Sequence, residues 1–135
     1  MSTLYMMCGF SRAGKTTRAK ELEQETGAFR ISADEWRMRL RHSTAGDPDE
    51  LGLEYAGFLL RHGVDVVYDN LNLSEKERRY ALLHFPDNTR KICVFMDTDA
   101  ETLRSRGGTF FHGRLQEPTR EEGFDEIWRI RWTKP

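Results

Sequence analysis

Along the chain, short apolar runs alternate with stretches whose apolar positions recur every three to four residues. Thr3–Cys8 (TLYMMC) is continuously apolar and stops at Gly9, which predicts a buried strand. Gly14 to Gln24 reads as a helix, and Gly27 supplies a residue suited to a left-handed cap. Phe29–Ser32 is a second short strand, and Asp34–His42 a helix with Trp36 and Leu40 on one face. Ser43–Asp49 (STAGDPD) has the composition of a loop. Leu51–Arg61 is apolar at Leu51, Tyr55, Phe58 and Leu59, the spacing of a helix that buries that stripe and closes at Gly63. Val64–Tyr68 is a β-branched strand. Ser74 opens a helix to about His84, with Glu77 completing a capping box. Arg90–Met96 is another strand, and Asp99–Arg104 a short helix. Ile127–Trp132 (IWRIRW) alternates apolar residues with arginine, as a half-buried edge strand does.

Strands separated by helices predict an α/β fold of three layers around a mostly parallel sheet, in a single domain spanning 1–135. In such sheets ligands sit beyond the carboxyl ends of the strands. Three of those ends are polar: Gly9–Thr16, Ser32–Asp34 and Asp69–Asn72. Their coincidence is the first argument for function. Composition agrees, since 38% hydrophobic and 11% aromatic residues provide material for one core. No apolar run approaches the ~20 residues of a membrane span. The first residues lack the basic flank and long apolar stretch of a signal peptide, so a cytoplasmic protein without membrane contact is expected. Cys8 and Cys93 both fall in strand-like runs, which fits buried thiols better than a disulfide or a zinc site.

Gly9-Phe-Ser11-Arg12-Ala13-Gly14-Lys15-Thr16 matches G-x-x-x-x-G-K-S/T between a strand and a helix, the context this motif requires. The glycines let successive N–H groups point at phosphate oxygens, and the helix N-terminus adds partial positive charge. Lys15 would reach the β- and γ-phosphates of a nucleoside triphosphate such as ATP, and the Thr16 hydroxyl would ligate Mg²⁺. Ser11, Arg12, Ala13 and Thr17 complete the expected nucleotide contacts, Arg12 as a phosphate contact or as an exposed loop cation.

Asp34-Glu35-Trp36-Arg37 follows the second strand. A spacing of three puts Asp34 and Arg37 on one helix face. A phosphotransferase needs a carboxylate to deprotonate an acceptor hydroxyl and profits from a cation beside it. The plainer alternative is an N-capping aspartate with a surface ion pair. Asp69 takes the place of an acid that orients Mg²⁺. Asn70 and Asn72 would hold an acceptor or fix the loop. Trp36 would wall the acceptor site or pack in the core. The four histidines show no metal spacing, and surface or cap roles are expected of them.

With these pieces in view, the chain resembles the P-loop polynucleotide 5′-kinase family, including the kinase module of polynucleotide kinase-phosphatases. The resemblance rests on GFSRAGKTT, ISADEWR, VVYDNLNLSEKERR and LQEPTREEGFDEI, which occur in the family's order. It implies an ATP- and Mg²⁺-dependent kinase acting on a 5′-hydroxyl end of RNA or DNA, in nucleic-acid repair. It also implies Asp34 as general base and Arg37 as the contact to the acceptor's 3′ phosphate. A lid over about 104–118 would bring Arg104, Arg106 or Arg114 to the ATP phosphates, with Arg106-Gly107-Gly108-Thr109 as a glycine-hinged start and His112 within it. Leu71 stands where the family usually has threonine, and Arg12 replaces a small residue. Two rival expectations are a small-metabolite or antibiotic kinase, with a closed acceptor pocket, and a nucleotide-binding regulatory module without transfer. Oligomeric state is left open.

A net charge of −1 excludes a long nonspecific footprint on nucleic acid. Arginines nevertheless outnumber lysines 16 to 5. Arg12, Arg37, Arg39, Arg41, Arg104, Arg106 and Arg114 fall at the phosphate loop, acceptor helix and lid, where planar bidentate groups suit phosphate.

Overall fold

The apolar run Thr3–Cys8 forms β1 at the centre of a five-stranded sheet. Beside it stand β2 (Phe29–Ser32), β3 (Val66–Asp69), β4 (Arg90–Thr98) and β5 (Glu126–Trp132), in the order β2-β3-β1-β4-β5. Every pairing is parallel. The computed structural model describes residues 1–44, 46–107 and 114–132. Among the described residues five α-helices stand between the strands: α1 (Lys15–Thr26), α2 (Ala33–Arg39), α3 (Pro48–Arg61), α4 (Glu75–Leu82) and α5 (Ala100–Ser105). The central strands bury both faces, as parallel strands covered by helices must. Leu4, Met6 and Cys8 pack with Leu53, Ala56 and Leu60 of α3 and Ala81 of α4. On the opposite face Met7, Val67 and Val94 pack with Ala19 and Leu22 of α1 and Leu103 of α5. This is the expected three-layer α/β fold. Among the described residues no helix is long and apolar enough to cross a membrane.

Several boundaries differ from expectation for local reasons. α3 begins at Pro48 because Asp47 accepts a hydrogen bond from the Asp49 N–H (3.2 Å) and proline is pre-set for the first helical position. β3 begins at Val66 because the Val64 N–H bonds back to the Leu59 carbonyl at the end of α3 (2.9 Å). α2 stops at Arg39, short of His42. The apolar stripe of α3 is also turned from the expected one. Its core residues are Leu53, Ala56 and Leu60, while Tyr55 and Phe58 are 37% and 48% exposed. Gly57 accounts for this orientation: a Cβ there would lie 2.2 Å from the His84 carbonyl oxygen, so α3 meets the end of α4 through its smallest residue.

β5 is the predicted edge strand. Arg129 and Arg131 are exposed and both reach Asp97, at 2.7 and 3.2 Å. Trp128 packs against Tyr5 with ring centres 5.7 Å apart. Cys8 and Cys93 are buried free thiols. His62 caps α3, and His84 bonds Glu50 at 2.7 Å. Gly108, Thr109 and His112 of the expected lid lie outside the described residues.

The feature without a signal in the hydrophobic pattern is a buried ion pair. Arg78 of α4 has no exposed surface, and Glu122 lies in the short 3₁₀ turn Arg120–Glu122 before β5. Arg78 Nε and Nη2 donate to the two Glu122 oxygens at 2.6 and 3.1 Å. Arg78 Nη1 donates to the carbonyls of Asn72 (3.0 Å) and Leu73 (2.9 Å). Glu122 also accepts from the Thr119 N–H (2.8 Å) and hydroxyl (3.2 Å).

Burial pushes the Glu122 carboxyl up, but the hydrogen bonds from Arg78 and Thr119 outweigh it and leave the group below its ordinary value. A carboxyl lowered in the folded state contributes stability that is present above the unfolded value and lost as pH falls through the folded one. Glu122→Gln leaves Arg78 buried without a counter-ion and should cost about 3–5 kcal/mol. The urea midpoint at neutral pH should fall accordingly. Through the carboxylate range, the variant should lose less of its remaining stability on acidification than the wild type. An unchanged neutral midpoint would contradict the role assigned to this pair.

Candidate active site

The phosphate loop owes its shape to backbone that few residues adopt. Gly9 has φ 153°, Arg12 φ 66° and Gly14 φ 96°. A Cβ on Gly9 would stand 3.0 Å from the Met96 carbonyl oxygen, so glycine is required by space as well as by φ. The Gly9 N–H donates to the Leu71 carbonyl (2.9 Å), which ties the loop to the segment after β3. Ala13 is buried; its N–H donates to the Phe10 carbonyl (3.1 Å) and its own carbonyl accepts from Thr98 Oγ1 (3.0 Å). Gly9 and Ala13 therefore shape the cradle without lining it.

The start of α1 differs from every other α-helix start among the described residues. Ser32, Asp47, Ser74 and Asp99 cap α2, α3, α4 and α5 through their side chains, and each of those helices has an acid in its first turn. α1 has neither a side-chain cap nor a first-turn acid. Its first N–H groups and positive dipole end face a cavity of ≈580 Å³ lined by Ser11, Arg12, Gly14, Lys15, Thr16, Thr17 and Arg106. That is a cradle for the phosphate chain of a nucleotide. Arg106 donates to the Arg12 carbonyl at 3.3 Å, whereas Arg104 and Arg114 do not line this cavity. Lys15 Nζ donates to the Phe10 carbonyl at 2.8 Å. Burial pulls the Lys15 ammonium below its ordinary value, against the opposing pull of Asp69 and Asp34.

A second cavity of ≈220 Å³ adjoins the first, sharing Ser11, Arg12, Lys15 and Thr16. Asp34, Arg37, Asp69, Asn70 and Leu71 complete its lining. The α/β register explains the convergence, since Ser32 at the end of β2 pairs with Asp69 at the end of β3. Ser32, not Asp34, caps α2 by accepting from the Glu35 N–H (3.3 Å). The capping alternative for Asp34 is thereby excluded, although the ion pair it entailed is present. Arg37 Nη1 donates to Asp34 Oδ1 at 2.6 Å. Arg37 also reaches Asn70 Oδ1 (3.2 Å) and Asp49 Oδ1 (3.0 Å).

Thr16 Oγ1 and Asp69 Oδ2 lie 3.4 Å apart. A hydroxyl and a carboxylate are the hard oxygen donors that Mg²⁺ takes together with water, so this pair fits the ion. Burial pushes the Asp69 carboxyl up, opposed by Lys15 and Arg30. Arg30 Nη1 stands 3.4 Å from Asp69 Oδ2 and Nη2 2.7 Å from Glu35.

Asn72 does not line either cavity. It is 3% exposed with φ 49°, and its amide donates to the Met7 carbonyl at 2.8 Å, so it fixes the loop. Trp36 packs against the core beside Gly52. Sequence reasoning missed Arg30, Asp49, Arg78 and Glu122 as individual contributors. The Asp-Pro start of α3 was a usable signal for Asp49, while Arg78 and Glu122 are 44 positions apart and no periodicity links them.

Two glycines in left-handed backbone separate loop function from stability. Gly9→Ala should weaken nucleotide binding at least ~10-fold, about 1.4 kcal/mol, because the loop must move off Met96. Gly27→Ala, at φ 76° with nothing within 4 Å, should cost ~1–2 kcal/mol of stability and leave nucleotide affinity unchanged. Calorimetric titration with a nucleoside triphosphate checks both. Equal affinities for Gly9→Ala and wild type would contradict the cradle.

Solved structures share this architecture. A sugar kinase from Janibacter sp., unliganded, superposes with TM-score 0.72 at 18% identity, over 100% of this chain and 88% of that one. The Mycobacterium tuberculosis APS kinase CysC, in complex with AMPPNP and APS, gives TM-score 0.66 at 20% identity, over 99% and 90%. A chain of the Pnkp1/Rnl/Hen1 complex gives 0.68 at 18% identity, and this chain covers 43% of it with 92% of its own length. At these identities the likeness is one of fold. No curated protein matches. Residues 4–108, from β1 through the phosphate loop to the end of α5, match the family described as AAA domain, and the chain belongs to that family as a P-loop kinase-like domain.

Proposed function

We propose that this domain transfers the γ-phosphoryl group of ATP to the 5′-hydroxyl end of RNA or DNA. The observation that carries the reading is the position of Asp34. Its side chain is 94% exposed at the rim of a cavity whose other walls include Lys15, Thr16 and Asp69. A carboxylate at an open rim suits an acceptor that arrives as the end of a chain, whereas a small metabolite is ordinarily enclosed. The fold likeness to a chain of the Pnkp1-containing complex supports the same reading.

In the proposed step the acceptor oxygen attacks the γ-phosphorus, the bond to the β–γ bridging oxygen breaks, and ADP leaves. Asp34 takes the hydroxyl proton. Lys15, Arg12 and the α1 N-terminus hold the phosphate oxygens as charge redistributes. Arg37 holds an anionic group of the acceptor beside the reacting hydroxyl. Thr16 and Asp69 would hold Mg²⁺, which would supply charge neutralisation for the phosphates.

A small-metabolite acceptor is the second reading. The modest volume of the acceptor cavity and the fold likeness to a sugar kinase and an APS kinase favour it. Incubation with γ-labelled ATP, Mg²⁺ and a 5′-hydroxyl oligonucleotide, in parallel with sugars and APS, separates the two. Label is expected on the oligonucleotide, reduced at least ~100-fold by Asp34→Asn, within the range a general base contributes. Label on a sugar or APS alone would replace the leading reading with the second. Full activity of Asp34→Asn would overturn the assigned base.

A further inference from the structure

We infer that Asp49, at the start of α3, is a positioning residue that aims Arg37 at the acceptor's anionic group; this rests on the reading of Arg37 just given. Three elements hold the Arg37 guanidinium. Asp34 on its own helix takes Nη1, Asn70 after β3 takes Nη2, and Asp49 takes Nε. Asp34 and Asn70 both line the acceptor cavity, and Asp49 does not. Asp49 therefore holds the guanidinium from its inner end and leaves the two terminal nitrogens facing the cavity.

The distinction matters because Arg37 has two tasks that compete. In this state it is paired with Asp34 at 2.6 Å, and Asp34 must turn to the acceptor hydroxyl to accept its proton. When Asp34 turns away, an arginine on a short helix held by Asn70 alone would be able to swing about that single contact. Asp49 limits that swing by keeping Nε engaged, so the acceptor's anion takes the place of Asp34 at the freed Nη1. Asp49 is itself fixed by its backbone, since its N–H donates to the Asp47 side chain at 3.2 Å and Pro48 precedes it. Its side chain is 46% exposed and that of Arg37 40%, so the pair adds little to stability and its effect is geometric.

A double-mutant cycle tests this, with Asp49→Ala, Arg37→Ala and the double variant. Two readouts are used: titration with a nucleoside 3′-phosphate followed by Trp36-sensitive fluorescence, and the KM for a 5′-hydroxyl oligonucleotide. Asp49→Ala should weaken both about tenfold, with kcat, the KM for ATP and the thermal midpoint nearly unchanged. Asp49→Glu should recover part of the loss. In the Arg37→Ala background, Asp49→Ala should have no further effect, because it acts only through Arg37. Additive losses, or a loss in kcat with acceptor KM unchanged, would overturn the inference. So would wild-type protein that binds no nucleoside 3′-phosphate. Non-additive binding with no label on any oligonucleotide would uphold Asp49 as the positioning residue and reject the polynucleotide acceptor.

Discussion

The arrangement of the site depends on the ion pair between Arg78 and Glu122, which has essentially no contact with solvent. A lone buried charge is costly, and two buried charges are tolerable when every hydrogen-bonding group is used. Here Arg78 gives two bonds to Glu122 and two to backbone carbonyls, while Thr119 gives two more to Glu122. The main consequence is geometric. The carbonyls of Asn72 and Leu73 are pinned, Cys8 Sγ also reaches the Asn72 carbonyl (3.2 Å), and the Gln116 N–H reaches that of Leu73 (2.9 Å). One residue earlier, the Leu71 carbonyl receives the Gly9 N–H. A pair formed by α4 and the turn before β5 thus sets the loop that lines the acceptor cavity and, through it, the first residue of the phosphate loop.

Charge is distributed over this frame with opposite signs in close quarters. The α1 N-terminus, Lys15, Arg12 and Arg106 surround the cavity suited to phosphates. Asp69 and Asp34 stand a short distance away, each with an arginine against it, Arg30 at 3.4 Å and Arg37 at 2.6 Å. This accounts for a chain of net charge −1 that nonetheless concentrates cations where anions are to be held. The four helices with capping side chains and first-turn acids satisfy their own termini, whereas α1, alone among the α-helices of the described residues, has neither.

Most of this architecture was legible in residue patterns because it is local. Strands bounded by glycine, a complete phosphate-loop motif and the Ser74–Glu77 capping box each carry their signal within a few residues. Asp34, Arg37, Asp69 and Asn70, which line one cavity, stand at the end of β3 or within five residues after a strand end. What was misread involves packing between distant segments. The face of α3 that turns inward is decided by Gly57 against the end of α4, not by the largest apolar side chains. For Asn72 residue type alone left holding an acceptor and fixing the loop open, and a left-handed backbone and the Met7 carbonyl turn its amide inward to the loop. Glu122 lies in a segment whose family resemblance was visible, but its partner Arg78 became evident only in three dimensions.

This buried pair sets the phosphate loop and does more than add stability. Replacing both partners together, as Arg78→Met with Glu122→Leu, removes the charges without leaving either unpaired, and such swaps are often neutral or stabilising. ATP titration of that folded double variant is the most direct test. Affinity should weaken about tenfold or more with the thermal midpoint retained, because the Asn72 and Leu73 carbonyls lose their bonds to Arg78. Wild-type ATP affinity in a folded double variant would contradict it.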